Sequence, residues 1–208
     1  MKVQIKPSLF LLLISFPLAA GQTGGRFFLE GDGLLHLARS SYRLPSVEGS
    51  KEQRKINRAF GVPNGSDDSV SLRLIALLDH LEDHFKAKGI TLNSGFRSHN
   101  RNEQLREQGL LAASVSLHLD GMAADVEFRG VSPRKVAEYA RSLNCCGVGH
   151  YHGRSVHLDI GPVRSWDEKT SGVEKGPPPT NKKVIVRTDK DLYRPGERIR
   201  FQLARLQA

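Results

Sequence analysis

The sequence predicts an α+β domain: a small antiparallel sheet with flanking helices, followed by a short C-terminal β appendage. Three observations predict it. Val70, Leu74, Leu77, Leu78, Leu81 and Phe85 recur at three- and four-residue steps, the period of an amphipathic helix. Short β-prone runs come in pairs across turn residues, the pattern of hairpins. Helices are mixed with these hairpin-linked strands along the chain.

The elements follow in order. Lys2 and Lys6 precede an apolar run from Leu9 to Leu18, and Ala19-Ala20-Gly21 follow. A basic start, a short apolar stretch and small residues predict a secretory signal peptide over residues 1–20, too short to stay in a bilayer. No cysteine follows the small residues, so no lipid anchor is expected, and the mature chain should start near Gly21 or Gln22. Arg26 to Glu30 and Leu34 to Leu37 flank Gly31-Asp32-Gly33, which predicts a hairpin. Residues 51–60 read as a short helix. The long helix should begin at Asp67, Asp68 or Ser69, each able to cap it, and stop at Gly89. His80 and His84 lie one turn apart on it with no Glu in H-E-x-x-H register, so they read as solvent-facing.

Ile90 to Ser94 reads as a strand that enters Gly95-Phe96-Arg97-Ser98, and a polar helix starts near Asn100. Met122 to Phe128 is the next strand. Ser132-Pro133 opens a helix to about Leu143, with Pro in its first turn. Gly147–Tyr151 and Ser155–Ile160 form a final strand pair joined at His152-Gly153-Arg154. The expected organisation is a main domain over 21–167, divided into an N-terminal hairpin and short helix (21–60) and a core (61–167). A Pro-rich linker (168–183) and a basic two-strand tail (184–208) follow. Within the tail, Thr188 to Glu197 resembles the opening of the sandwich repeats of macroglobulin-type proteins, over two strands only.

Composition is ordinary for a globular chain at 38% hydrophobic and 25% charged residues, so the net charge of +9 is the feature to place. Residues 168–208 carry ten Lys+Arg against five Asp+Glu, while residues 21–167 carry 19 against 17. The basicity therefore sits in the tail, where Lys182-Lys183 could hold anionic envelope polymers or lipid headgroups. An exported chain without interleaved aromatic and basic residues points away from nucleic acid as a partner. Cys145 and Cys146 are adjacent, a spacing that bridges only with strain and suits no zinc knuckle; the expectation is two small buried residues entering a strand.

The chemistry concentrates in Ser116 to Asp125 and in Ser155 to Asp159. Two imidazoles and a carboxylate are the usual three protein ligands of a catalytic zinc, with a fourth position open. His118, Asp125 and His157 supply that set. Gly121 permits the turn that lets His118 converge with Asp125. Strand alternation puts Ser155, His157 and Asp159 on one face. Arg97, after a strand and a glycine, stands where a guanidinium could hold a carboxylate or a developing oxyanion. For the general base, Asp159 is the nearest carboxylate on the right face, with His152 and His150 next. Asp159 could equally be the partner that orients His157.

The spacing S-x-H-x-x-G-x-A-x-D resembles the zinc signature of the D-Ala-D-Ala metallopeptidases, a group that includes lysostaphin and the sonic hedgehog signalling domain. The resemblance implies a hedgehog/D-Ala-D-Ala peptidase-like fold, Zn2+ as cofactor, Arg97 as the arginine of the S-G-Y/F-R motif, and Ser116 in the substrate site. The chain departs from the two known base patterns: Arg154 stands where the carboxypeptidases have Glu, and Ser155 where the lysostaphin and hedgehog types have His. Gly147-Val148-Gly149-His150-Tyr151 and the run H-x-D-x-G-x-x-R-x-W from His157 to Trp166 resemble more narrowly the murein endopeptidase K branch. That branch departs from the carboxypeptidase pattern too. The resemblance covers roughly Phe27 to Trp166. It implies a periplasmic or secreted zinc endopeptidase acting on peptidoglycan stem peptides, including cross-links between diaminopimelate residues. The alternatives are a D-alanyl-D-alanine carboxypeptidase, a non-catalytic zinc-containing wall-binding module, and an envelope adaptor acting through the basic tail.

Overall fold

The computed structural model describes residues 32–109, 116–151, 153–167, 185–191, 193 and 195–204. The expected signal peptide, the 26–30 strand and the linker lie outside the described residues. Nine strands and four α-helices are described. They are β1 Leu34–Leu37, β2 Ser40–Arg43, α1 Lys51–Ala59, α2 Leu72–Phe85, β3 Ile90–Ser94, α3 His99–Glu107, β4 Ala123–Phe128, α4 Pro133–Ser142, β5 Gly147–His150, β6 Val156–Asp159, β7 Arg164–Asp167, β8 Ile185–Thr188 and β9 Phe201–Ala204. A 3-10 turn, Leu117–Asp120, precedes β4.

The α+β class holds, but the sheet is larger than expected and it is mixed. Seven strands run in the order β2-β1-β3-β4-β6-β5-β7. The hairpin pairs are antiparallel, while β1 with β3 and β5 with β7 are parallel. Those two links join segments distant in the chain, which local periodicity does not encode. β1 turns at Ala38 (φ 53) and pairs with β2, a hairpin that the sequence did not single out.

One face of the sheet packs on helices. Leu74, Leu77, Leu78 and Leu81 of α2, and Val136, Ala137 and Ala140 of α4, join Leu35, Ile90, Val126, Val148 and Leu158 in one core. Each buried leucine contributes about 1.5–3 kcal/mol of transfer free energy. The α2 cap is Ser71, not Asp67, Asp68 or Ser69. The physical reason is that Val70 is held as extended chain: its N–H donates to Asn57 Oδ1 (2.9 Å) and its carbonyl accepts from Gln53 Nε2 (2.9 Å). The helix ends at Lys86 in the left-handed region, three residues before Gly89. His80 and His84 are not simply solvated; His84 stacks on Tyr139 with centroids 3.6 Å apart, and His80 Nε2 lies 3.1 Å from the Tyr139 hydroxyl.

Cys145 and Cys146 are joined to each other by a disulfide, which corrects the expectation of two unpaired residues. Both sit in the tight turn between α4 and β5, where Asn144 takes φ 50. The β8–β9 pair forms its own two-stranded sheet. The loop after β8 reaches the start of α2, where Asp191 accepts from Arg73 Nε (2.8 Å) and Ser71 Oγ, and donates its N–H to Glu48 (2.8 Å). Among the described residues, no helix is long and apolar enough to cross a membrane.

Candidate metal centre

The register of three adjacent strands builds the site. On β4, Ala124, Val126 and Phe128 face the core, so Asp125 faces the opposite side. Asp125 pairs with His157 on β6, and His157 pairs with Gly149 on β5. Ser94, at the end of β3, pairs with Asp125 from the other side after a register shift.

His118 arrives from the 3-10 turn. Ser116 Oγ accepts the His118 backbone N–H at 3.4 Å, and Gly121 closes the turn at φ 64. A side chain at Gly121 would run into the Ser69 carbonyl, so only glycine lets the turn lie against the extended chain before α2. The His118 Nδ1–H donates to the Gly95 carbonyl at 2.7 Å, which leaves Nε2 facing Asp125 Oδ2 at 3.4 Å. Across the site, His157 Nδ1 lies 2.9 Å from Asp125 Oδ1 and Nε2 lies 3.0 Å from Asp159 Oδ2.

Donor atoms of His118, Asp125 and His157 lie within 4.8 Å of one another. The set fits a metal such as zinc on its own chemistry: two imidazoles, one carboxylate, and each ring fixed through its other nitrogen by a carbonyl or a carboxylate. Burial lowers the pKa of His118, which keeps the ring neutral and able to ligate. Burial works against a charged His157 as well, but its bonds to Asp125 and Asp159 raise its pKa to about 9. A metal at Nδ1 therefore competes with a proton. Burial also opposes ionisation of Asp125, yet its contacts with His118 and His157 hold its carboxyl well below the usual carboxylate range.

Asp159 is 0% exposed and takes four hydrogen bonds. They come from His157 Nε2, the Gly161 N–H (2.8 Å), Arg164 Nη1 (2.9 Å) and Arg164 Nη2 (2.6 Å). Burial pushes its carboxyl up, but His157 and Arg164 bring it down to about 2. Of the two roles open to Asp159 in the sequence, this geometry favours orienting His157 over accepting a proton. Facing it on β5, a side chain at Gly147 would clash with Asp159 and Arg164, and one at Gly149 with the Trp166 ring. Trp166 thus closes over His157 with centroids 5.2 Å apart, and Arg164 lies 5.0 Å above the indole. Arg164 and Trp166 stood in the H-x-D-x-G-x-x-R-x-W run without a role. Their contacts depend on the parallel β5–β7 link.

Arg97 lies beside Asp125. Its Nη2 donates to Asp125 Oδ2 and its Nε to Ser94 Oγ, both at 2.9 Å, and its backbone N–H donates to the His118 carbonyl at 3.0 Å. It lines a groove of about 360 Å³ with Asn93, Ser94, Phe96, Arg101 and Leu105. Ser116 is buried beneath His118. His150 pairs with Val156 and so points to the opposite face from His157. His152 lies outside the described residues. Burial, reinforced by the Asp125 charge, pushes the Tyr151 phenol up to about 12, so it remains a hydrogen-bond donor at the rim.

A His-Asp-His cluster on one face of an α+β sheet, with an arginine bonded to the carboxylate, is the donor set of a metallopeptidase centre. Residues 55–166, more than half the chain, match the family described as Peptidoglycan L,D-endopeptidase MepK, and the chain belongs to that family. It is 36% identical to Peptidoglycan L,D-endopeptidase MepK of Escherichia coli (strain K12) over 80 residues, which is 38% of this chain and 44% of the relative. It is 41% identical to Probable peptidoglycan L,D-endopeptidase MepK of Haemophilus influenzae over 73 residues, which is 35% of this chain and 39% of the relative. The aligned stretch thus spans less than half the length of these curated relatives.

Proposed function

We propose that this chain is an exported zinc endopeptidase that hydrolyses peptide cross-links of peptidoglycan. The observation that carries the reading is the convergence of His118 Nε2, Asp125 and His157 Nδ1 beside Arg97 and its groove. Family membership and the L,D-endopeptidase named among the relatives support a peptide cross-link of peptidoglycan as the substrate. The expected signal peptide over residues 1–20 supports action in the periplasm or outside the cell.

Zinc, when bound, polarises a scissile carbonyl and lowers the pKa of water at the open position. The chain's own residues do the rest. His118 and Asp125 would hold the ion from the 3-10 turn and β4, and His157 would hold it from β6. Asp159 keeps the His157 ring turned so that Nδ1 faces the ion, and Arg164 keeps Asp159 ionised. Arg97 and Arg101 give the groove two guanidinium groups that suit the carboxylates of a stem peptide. Arg97, bonded to Asp125, is near enough to the ion site to stabilise a developing oxyanion. Ser116 supports the turn under His118 and borders the substrate. His152, which falls between β5 and β6 in sequence, is the proton acceptor we favour, because Asp159 has its acceptor sites taken and His150 points away.

The test is digestion of purified peptidoglycan by the zinc-loaded mature protein, with His118→Ala alongside and products read by mass spectrometry. Loss of cross-linked dimers with the wild type alone establishes the endopeptidase. Release of D-alanine from uncrosslinked pentapeptides would assign a carboxypeptidase instead. Tight zinc binding with no change in any muropeptide would leave a wall-binding module.

A further inference from the structure

On the helical side of the sheet, away from His118, lies a second cluster of ligating side chains. Asp79 and Asp83 stand one turn apart on α2 with Glu82 between them, and Asp32 faces them from the chain entering β1. Oxygens of Asp32, Asp79 and Asp83 lie within 4.8 Å of one another. Asp79 is 2% exposed and Glu82 3% exposed. Asp79 Oδ1 and Asp83 Oδ2 are buried and have no hydrogen-bond partner among the described residues.

A buried, unpartnered carboxylate oxygen costs about 1–3 kcal/mol or more, so a native structure that keeps one needs a reason. The positive groups recorded against the cluster are histidines. His36 Nδ1 lies 3.1 Å from Glu82 Oε1 and its Nε2 lies 3.8 Å from Asp32 Oδ2, while His80 acts on Asp83. His36 also donates its backbone N–H to Glu82 Oε2 at 3.0 Å. Glu82 is thus engaged with His36, and Asp32 Oδ1 accepts the Leu34 N–H at 2.8 Å, while Asp79 Oδ1 and Asp83 Oδ2 are left without a donor among the described residues.

We propose that Asp32, Asp79 and Asp83 form a second cation site, one that takes Ca2+ and fastens the chain entering β1 to α2. The donors are all oxygen, which selects a hard cation and separates this cluster from the imidazole-rich one. Oxygens within 4.8 Å of one another need to close by only a few tenths of an ångström, if at all, for one ion to reach all three at the roughly 2.3–2.6 Å of calcium–oxygen bonds. The spread of these oxygens suits the longer bonds and flexible geometry of calcium better than the octahedron of magnesium, whose bonds are about 2.0–2.1 Å. The unpartnered Asp79 oxygen is the second observation. It supplies a buried acceptor that no donor of the described protein fills.

The ion does not touch the proposed zinc cluster, so its test is independent of the peptidase reading. Calcium binding to the zinc-loaded mature protein is measured by equilibrium dialysis near neutral pH, together with thermal unfolding in calcium-free and calcium-containing buffer. The expected result is one calcium ion per chain with sub-millimolar affinity and a Tm that rises with calcium. Asp79→Asn and Asp83→Asn should each weaken binding about tenfold or more, and His118→Ala should leave it unchanged. No binding up to several millimolar, or undiminished binding in Asp79→Asn and Asp83→Asn, overturns the proposal. Asp79→Asn keeps the side-chain volume, and Asp83 is only partly buried, so one of the two folded variants decides.

Discussion

On one face of the sheet, His118 is 2% exposed, and both of its ring nitrogens, both nitrogens of His157 and both oxygens of Asp125 face a bonding partner. On the other face, Asp79 is also 2% exposed, yet one of its oxygens meets no donor among the described residues. The first cluster is organised by the protein itself: a carbonyl holds one ring, a carboxylate the other, and both terminal nitrogens of Arg164 hold that carboxylate. The second is a set of like charges without an organising cation of comparable strength. Burial alone therefore does not identify a catalytic centre. What separates the two is whether the surrounding groups orient the donors. Orientation is what a reaction needs, whereas a structural ion can supply its own.

The largest effect should come from removing a ligand of the organised cluster. An ion acting as a Lewis acid contributes several kcal/mol, and each 1.36 kcal/mol is tenfold in rate. His118→Ala should therefore lower cross-link hydrolysis about a thousandfold or more. Retained activity in muropeptide digestion would remove the metal centre from the mechanism. His152→Ala comes next, with kcat down about a hundredfold or more and zinc content unchanged by elemental analysis. A wild-type rate there would send the search for the proton acceptor elsewhere.

Asp159→Asn sharpens the comparison, because its two readings predict different measurements. If Asp159 orients His157, zinc affinity by chelator competition falls about 10–100-fold, and activity recovers at high zinc. A loss of kcat at full zinc occupancy, with affinity unchanged, would make Asp159 the base. Arg164→Met should shift zinc affinity in the same direction but less, since the Gly161 N–H still holds the carboxylate.

How much of this could be read beforehand follows from the physics of each feature. His118, Asp125 and His157 were legible because ligating residue types in a fixed short pattern carry their chemistry with them. Their neighbours were not. The roles of Arg164 and Trp166 rest on glycines in a different strand and on a parallel pairing that no local period encodes. The start of α2 was misplaced because side chains of α1, Asn57 and Gln53, claim the backbone of Val70. Asp79, Glu82 and Asp83 fall between the apolar positions of α2 and carry no sequence signal of their own. Only the fold shows that the segment from Asp32 to His36 covers them.

The smallest effect tests the unorganised cluster through pH. Burial first, then the charges of Asp83, Asp32 and Glu82, raise the Asp79 carboxyl from 3.8 to about 7, with His36 opposing. A raised folded pKa means the native state keeps a proton that the unfolded chain has released. In calcium-free buffer this group therefore costs stability as pH climbs from 3.8 to about 7, and the cost is constant above that. Asn cannot ionise, so Asp79→Asn should match the wild type near about pH 4 and exceed it near about pH 8 in denaturant unfolding. Calcium should reverse the order at the higher pH, because the wild type gains an ion that the variant binds poorly. Parallel stability profiles for the two proteins, with and without calcium, would mean that Asp79 is as well accommodated as His118. The contrast between the two faces would then be lost.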